Sequence, residues 1–538
     1  MQFDSTAEAT DPSPVYDDGK PSSKTEKITH STFLESIDLT NPGADDRRKL
    51  SKLIQEVVHT KANAGDFVPR VVIGNLCTKY QTFDLDEKKQ FLLILARDLH
   101  VDPALVEQSL NYFAENFAHV QQDAETHSGS EIDWEHERIE RFLRTFRNLR
   151  TSLTPLYETF FQQILSQRED GMLFLVHLRA DLLQVLRKSA APGPETSALR
   201  SLDTSLKVSF LASWFSVGFL KLERVTYENS PGQLLEKIIR YEAVHPVGTI
   251  IELKRRLGRG RRCFAFFHPS VPDEPLVFVH IALVKELAGS MPYIKDETEK
   301  MDDETDARAA IFYSISSTQK GLQGVDLGNF LIKEVARSLK REHPQLEIFS
   351  TLSPMPNFVP WLESQRTNAA LVARDDADVV ELERALTTNG VALSDTETPT
   401  GASVVLAAIA VADWHEKSEI AAALKPLLLK LGARYIYHEK KRSKALCQVA
   451  NFHIRNGAIF ERINWLGDPS PKVGSVSAWI KAILHVLTQE FSMGFRQSAG
   501  LMVNYKYDLA RVESNNENYL MHHTIALGDQ PKHLLQQW

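Results

Sequence analysis

The chain has 538 residues, of which 43% are hydrophobic and 25% charged, and carries a net charge of -8. That length exceeds one compact core, so two or three domains of about 100–200 residues each are expected. A net acidic chain gives no support to nucleic-acid binding, which needs a basic face, but leaves room for a local basic pocket around one phosphorylated ligand.

Cys77, Cys263 and Cys447 are the only cysteines and form no CxxC pair. This argues against a disulfide framework and a structural zinc site, and fits a reducing cytoplasm. No basic-then-apolar leader and no Arg-rich transit segment opens the chain. Its longest apolar run, 402–412, is about half the roughly 20 residues a bilayer span requires. A cytoplasmic protein without membrane contact is expected.

Residues 1–27 are rich in Ser, Thr, Pro and Asp, and a disordered tail is expected there because little apolar area is available to offset ordering. Residues 28–225 read as an all-helical domain. "RRKLSKLIQEVVH" repeats apolar residues at Leu50, Leu53, Ile54 and Val57, and "DEKKQFLLILARDL" and "IERFLRTFRNLRTSL" behave alike. "DPALVEQSLNYFAENF" opens on Asp102 and Pro103, a cap followed by proline at the first helical position. "GMLFLVHLRADLLQVL" is apolar over more than half its circumference, which suits a central helix or one covered by another subunit. Subunit contact is the expected work of this region.

From 226 to 538 the period changes. "RRCFAFFHP", "LVFVHIAL", "AAIFYSIS", "LEIFSTLSP", "ANFHIRNG" and "IFERINW" read as strands, with helices over 327–341, 417–431 and 476–493 between them. An α/β or α+β domain follows. The acidic run 295–308 reads as a solvated loop.

The segment "FYSISSTQKGLQGVDLGNFLIKEVARSL", 312–339, joins a strand, a loop with Gly321, Gly324 and Gly328, and a helix with Leu327, Phe330, Leu331, Val335 and Leu339 on one face. Glycines let a loop turn and approach a ligand, and first-turn amides lack intrahelical partners and carry positive partial charge. Together they describe an anion cradle suited to pyrophosphate; a plain tight turn is the competing reading. The loop is neither a Walker A nor a G-x-G-x-x-G sequence.

These blocks carry a resemblance. "FYSISSTQKGLQGVDLGNFLIKEVARSL", "FSTLSPMPNFVPWL", "LGARYIYHEKKRSKALCQVANFHIRNGAIFERINWLGD" and "GLMVNYKYDL" resemble malonyl-CoA decarboxylases, as do "SWFSVGFLKLERVTY" and "YEAVHPV". The resemblance runs from about 140 onward. It implies a multi-domain α/β protein: a helical oligomerisation domain, then an acetyltransferase-like (GNAT) mixed α/β catalytic domain. It implies that the loop Gln323, Gly324, Val325, Asp326, Leu327, Gly328 and Asn329 holds coenzyme A. Malonyl-CoA is then the substrate, and a homo-oligomer, dimer or tetramer, forms through the helical domain.

Decarboxylation of malonyl-CoA leaves a thioester enolate that must be stabilised and protonated at carbon. An aimed donor is worth about 3–4 kcal/mol and a positioned proton donor roughly 10²–10⁴-fold. The thioester is itself an electron sink, so no separate cofactor or metal is expected; no HExxH or paired CxxC occurs. The resemblance implies that Ser353 is the catalytic serine, positioning the carboxylate or His453, and that His453 is the proton donor. It leaves open which group protonates carbon. By pattern alone, Ser353 before Pro354 equally suits the end of a strand. His453, alternating with Phe452 and Ile454 on an expected strand, equally suits a structural imidazole. Ser314, Asp326 and Tyr507 match further polar positions of the family's site, with packing behind the site as the alternative. At 326 many relatives carry Glu, so the shorter Asp puts direct substrate contact in doubt. His268 and His280 read as structural. The basic run 438–444 reads as a solvated loop or a contact to the 3′-phosphate, and 469–498 reads as an additional helix. Competing activities are an acetyl-CoA-dependent N-acyltransferase, a Ser/His thioesterase, which the absence of G-x-S-x-G weakens, and a non-catalytic acyl-CoA sensor.

Overall fold

A computed structural model describes residues 44–59, 67–126, 133–189, 192–299, 303–325, 327–391, 400–468 and 497–537. The tail expected over 1–27 lies outside these residues, as does nearly all of 469–498. The chain divides into two compact units, one ending at Arg168 and one beginning at Glu169.

The first unit is helical: Ala44–His59, Phe67–Thr82, Leu85–Asp98, Pro103–Thr126, Asp133–Ser152 and Leu156–Gln167. Local chemistry starts these helices. Asp84 accepts from the Asp86 and Glu87 amides while the Glu87 carboxylate accepts from the Asp84 amide, a reciprocal capping box. Asp102 caps the next helix through the Ala104 amide at 2.9 Å, ahead of Pro103 as the sequence suggests. Leu50, Leu53, Ile54, Phe91, Leu95, Phe160 and Phe161 form the buried centre.

The second unit opens with the helix Gly171–Lys188, whose Phe174, Leu175, Leu178 and Leu182 are buried, the central placement expected of it. The helix Pro194–Ser205 runs on into a π-helical turn, Leu206–Leu211. The strands follow: β1 Lys221–Val225, β2 Arg261–Phe267, β3 Val277–Val284, β4 Ala309–Ser317, β5 Ile348–Thr351, β6 Ser353–Pro354, a small hairpin β7 Lys440–Lys441 and β8 Lys444–Ala445, β9 Ile459–Asn464 and β10 Met502–Lys506. The main sheet is ordered β1-β2-β3-β4-β5-β10-β6, with β9 also on β10. All its pairings are antiparallel except β4 with β5. The expected mixed α/β architecture and the strand–glycine loop–helix junction are both present. The sheet begins at Lys221, ahead of the change expected at 226, and the helices from Gly171 lie in the same compact unit as the sheet.

One sheet face packs on a core that includes Leu327, Leu331, Val335 and Leu339 of the helix Leu327–Glu342 and Leu424, Leu428 and Leu431 of Ser418–Tyr437. The other face packs on smaller cores with Leu234, Ile238 and Leu253, and with Ile294. Phe330 does not join the apolar stripe expected of it and is exposed; one residue of a helix advances about 100°, enough to carry it off the edge of the stripe.

Two local expectations change. "ANFHIRNG" is not a strand but the end of the helix Gln448–Arg455, with Ala450, His453 and Ile454 buried at helical spacing and Gly457 at φ +84° beyond it. Eight residues are too few for periodicity alone to separate helix from strand. The acidic run is not wholly a loop: it begins within the helix Met291–Glu299, and Glu304 holds the buried Arg262 through two hydrogen bonds of 3.0 and 2.6 Å.

The β4–β5 pairing is short. It joins Ala309–Phe312 to Ile348–Thr351 and ends where the Leu352 amide donates to the Phe312 carbonyl. Beyond that point β4 continues to Ser317, while the other chain turns away as β6 and pairs Ser353 with Val503 and Pro354 with Met502. The parallel strands therefore part at their carboxyl ends.

The loop after β4 is seated on Gly171–Lys188. A Cβ on Gly321 would lie 1.8 Å from the Val176 carbonyl oxygen. The expected ligand approach does not account for Gly321; close approach of this helix does. The neighbouring Arg179, 2% exposed, pairs with Asp203 at 2.8 Å and donates to the carbonyls of Gly321 and, at 3.0 Å, Gln323. Gly321→Ala is expected to cost about 2 kcal/mol or more, because backbone rather than a pliable side chain must move. A urea midpoint equal to wild type would contradict the seating of this loop.

Candidate active site

Ser353, His453 and Tyr507 come from three elements: β6, the last turn of Gln448–Arg455, and the residue after β10. The structure brings them together. Ser353 Oγ lies 3.1 Å from His453 Nε2, and Tyr507 Oη lies 2.9 Å from His453 Nδ1. The Tyr507 amide donates to the Phe349 carbonyl at 2.7 Å, which fixes the tyrosine to β5. The imidazole stacks on Tyr505, with ring centroids 4.7 Å apart and planes 22° from parallel.

All three groups are buried. Burial pushes the His453 imidazole down to about 3, so it is neutral near pH 7 in the free protein. Burial pushes the Tyr507 phenol well above its ordinary range, and the Asn456 side chain opposes that rise. The phenol therefore keeps its proton. Its hydrogen needs an acceptor, and His453 Nδ1 is the acceptor in reach among the described residues. With Tyr507 donating to Nδ1, Nε2 carries the imidazole hydrogen toward Ser353, and the Ser353 hydroxyl hydrogen is left for a further acceptor.

This triad lies beside the place where β4 and β5 part. On the side of β4 that faces β6, backbone groups beyond Phe312 have no strand partner among the described residues. The helix Leu327–Glu342 follows, and a Cβ on Gly328 would lie 2.9 Å from the Phe452 ring. The loop is thus packed against the residue next to His453. Gly324 has φ +81° and is exposed, as is Gln323; Val325 is half-buried and Leu327 buried. Asp326 lies outside the described residues, and so does the side chain of Asn329.

Ser314 is placed elsewhere. It donates at 2.6 Å to Glu242, which also accepts from the Val244 and His245 amides at 2.9 and 3.0 Å. His280 lies across β3 from Ser314 in register and 3.4 Å from Glu242. Burial works to raise the Glu242 carboxyl, but His280, the His245 amide and the Ser314 hydroxyl outweigh it and hold it below the usual carboxylate range. Burial pushes His280 down to about 4. Their sheet face carries Phe278 and Ala282, whereas Val503, Ile454 and Tyr507 belong to the core of the opposite face. Tyr505, Asn456, Glu242 and Arg179 were not singled out by sequence; Arg179, a lone cation on an apolar helix, was the available signal. Among the described residues no group of three or more His, Cys, Asp or Glu is gathered for a metal ion.

A mixed sheet thus parts beside a buried Ser–His–Tyr hydrogen-bonded chain, with a glycine loop and a helix N-terminus adjoining. Comparisons with known proteins are specific. Residues 114–215 match the family model of the malonyl-CoA decarboxylase N-terminal domain, and 218–481 and 478–538 that of the C-terminal domain. The chain belongs to the malonyl-CoA decarboxylase family. It is 40% identical over 397 residues to the mitochondrial malonyl-CoA decarboxylase of Mus musculus, covering 72% of this chain and 73% of that one. Against that of Anser anser anser it is 39% identical over 392 residues, covering 72% and 71%. The solved malonyl-CoA decarboxylase of Rhodopseudomonas palustris matches with a TM-score of 0.67 at 31% identity, over 90% of this chain and 99% of that one. That of Agrobacterium vitis gives 0.68 at 29% identity, with the same coverage.

The neutral His453 has a consequence for stability. Its folded value, about 3, lies below its ordinary 6.5. As pH falls from 6.5 toward 3 the unfolded chain takes up a proton that the folded protein refuses, so stability is lost across that window and not above it. The loss approaches about 1.4 kcal/mol per pH unit inside the window. Urea titrations at pH 7, 6, 5 and 4 should show His453→Gln losing stability less steeply than wild type; parallel losses would mean that the imidazole is protonated in the folded state.

Proposed function

We propose that this protein is a carboxy-lyase that converts malonyl-CoA to acetyl-CoA and CO2. The observation that carries the proposal is the Ser353–His453–Tyr507 chain, with contacts of 3.1 and 2.9 Å, at the parting of β4 and β5. Membership of the family, and the names of its relatives on both sides of the sequence and structure comparisons, supply the substrate.

In this reading the coenzyme A moiety lies over the loop 323–329 and the pantetheine arm enters between β4 and β6. The Ser353 hydroxyl donates to the malonyl carboxylate and turns its C–C bond out of the thioester plane. Unpartnered amides of β4 beyond Phe312 face the growing charge on the thioester oxygen. Loss of CO2 leaves the enolate, and His453 delivers the proton that its α-carbon takes up. An imidazole held near 3 in the free protein must be loaded for this step, and the arriving carboxylate raises its affinity for a proton. The loaded ring carries hydrogen on both nitrogens, so Tyr507 Oη accepts from Nδ1 and Nε2 presents its proton toward the α-carbon. The thioester carries the electron pair, so the chemistry calls for no further cofactor.

Incubation with malonyl-CoA alone tests the reaction. CO2 and acetyl-CoA should form together without an acceptor amine, which an N-acyltransferase would require; free coenzyme A and malonate would point to a thioesterase. Ser353→Ala and His453→Asn should each lower turnover at least tenfold, and the double variant should lose less than the product of the two. A fully active His453→Asn would remove the proton-donor assignment.

The helical unit supports self-association. Leu105, Leu110 and Tyr112 of Pro103–Thr126 and Leu143 and Phe146 of Asp133–Ser152 are exposed on two helices that pack on each other. Such a patch fits burial against a second copy. Sedimentation should give a dimer or tetramer that the paired change Leu143→Glu and Phe146→Glu dissociates; a wild-type monomer would end this part of the proposal. Cys77, Cys263 and Cys447 are buried and form no disulfide with one another, which fits a reducing compartment. The cytoplasm is our proposal among such compartments, while the vertebrate relatives are named as mitochondrial. Among the described residues no helix is long and apolar enough to cross a membrane.

A further inference from the structure

The glycine loop has a neighbour that the sequence did not associate with it. The π-helical turn Leu206–Leu211 widens the helical path just before Ala212, a feature that recurs at functional positions. It sets Lys207 across the loop. A Cβ on Gly324 would lie 3.0 Å from Lys207 Nζ and 3.3 Å from Cε. The lysine stem therefore covers the glycine, and the ammonium stands at the loop's exposed surface.

The pairing around it is asymmetric. Asp203, four residues earlier, is committed to Arg179 at 2.8 Å. Arg179 in turn occupies the Gly321 and Gln323 carbonyls from the buried side. Arg187 donates to Gln323 Oε1 at 3.3 Å. The acceptors of the loop are thus already engaged by arginines. Lys207 is half-buried, and among the described residues no hydrogen bond or ion pair engages its ammonium. The helix Leu327–Glu342 begins three residues beyond Gly324 and presents its first-turn amides at the same end. A half-buried cation without a carboxylate, set over a bare backbone and next to amide donors, matches an anionic group with several oxygens.

We propose that Lys207 is a substrate-binding residue that contacts the diphosphate of the coenzyme A moiety. The nucleotide end is then held between the loop and the segment Gly171–Trp214, and the sheet with its loop alone is an incomplete site. This rests on the acyl-CoA reading above. It gives the helices after Glu169 a part in substrate recognition beyond packing.

Calorimetry with coenzyme A and with dephospho-coenzyme A, and steady-state kinetics with malonyl-CoA and malonyl-pantetheine, test it on the full-length protein. For Lys207→Gln, the dissociation constants of both nucleotides should rise by about ten- to a hundredfold, the range for loss of one charge-assisted contact. The wild-type advantage of malonyl-CoA over malonyl-pantetheine in KM should shrink by a similar factor. The wild-type-to-variant difference should narrow as salt rises. Lys207→Arg should recover most of the affinity. Lys207→Met, which keeps the stem over Gly324, gives the same comparison should the glutamine variant fail to fold. Unchanged affinity overturns the proposal. So does a loss confined to coenzyme A and absent with dephospho-coenzyme A, which would assign Lys207 to the 3′-phosphate, and so does an equal loss with malonyl-pantetheine, which would make its role structural. Wild-type protein that binds no coenzyme A would instead overturn the acyl-CoA reading itself.

Discussion

The end of the β4–β5 pairing at Phe312 is the constraint from which the site follows. A parallel pair that continued to Ser317 would close the sheet and leave no entry for a ligand. The chain after Thr351 instead leaves β4 and satisfies its backbone on β10, where Ser353 pairs with Val503. That exchange of partner places the Ser353 hydroxyl beside the opening and keeps its strand hydrogen-bonded, so the gap exposes backbone on the β4 side only. β10 then supports both ends of the polar chain. Tyr505 stacks on the imidazole and Tyr507 holds Nδ1, two residues apart and on one face as strand geometry requires.

The described residues include two buried groupings that hold a Ser and a His, and hydrogen-bond direction separates them. Ser314 donates to Glu242, so its only hydrogen is committed to a carboxylate within the protein. Against burial, two amides and that hydroxyl donate to Glu242 and hold it below the usual carboxylate range, while burial pushes His280 down. The Ser314 hydroxyl therefore keeps no hydrogen for a ligand. At Ser353 the order is reversed. The chain begins with a phenol that cannot readily ionise, passes through a neutral imidazole and ends on a hydroxyl whose hydrogen has no acceptor in the protein among the described residues. Identical residue types thus form a buried anchor on one sheet face and, in the proposed function, the reacting groups on the other.

Much of this was legible in the sequence where the pattern is long or the chemistry local. The helix from Leu327, the strands Arg261–Phe267, Val277–Val284 and Ala309–Ser317, and the Asp102 cap all lie where periodicity and capping put them. His453 was assigned to a strand because Phe452 and Ile454 flank it symmetrically; its helix is eight residues long and is held by tertiary packing of Ala450 and Ile454. Lys221–Val225 and Met502–Lys506 carry charged or polar residues in alternation, and neither stood out as a strand. The pairing of Ser353 with His453 came from family resemblance, since 100 residues separate them. Ser314 illustrates the limit of that route: a matched polar position carries no information about which neighbour takes its hydrogen.

The three glycines of the loop also show why a spacing pattern underdetermines its cause. Gly321 is required by a helix carbonyl, Gly328 by an aromatic ring and Gly324 by a left-handed backbone beneath a lysine. Only the last lies on the exposed surface of the loop, under a flexible side chain rather than against fixed packing. The other two bind the loop to the helix that carries Arg179 and to the helix that carries His453. Because interiors are close-packed and yield little, a loop pinned at both ends keeps a fixed distance between Gly324 and the imidazole. In the proposed binding mode, a long thioester that spans those points has its acyl end located by its nucleotide end. Binding energy gathered far from the scissile bond thereby acts on the geometry of that bond.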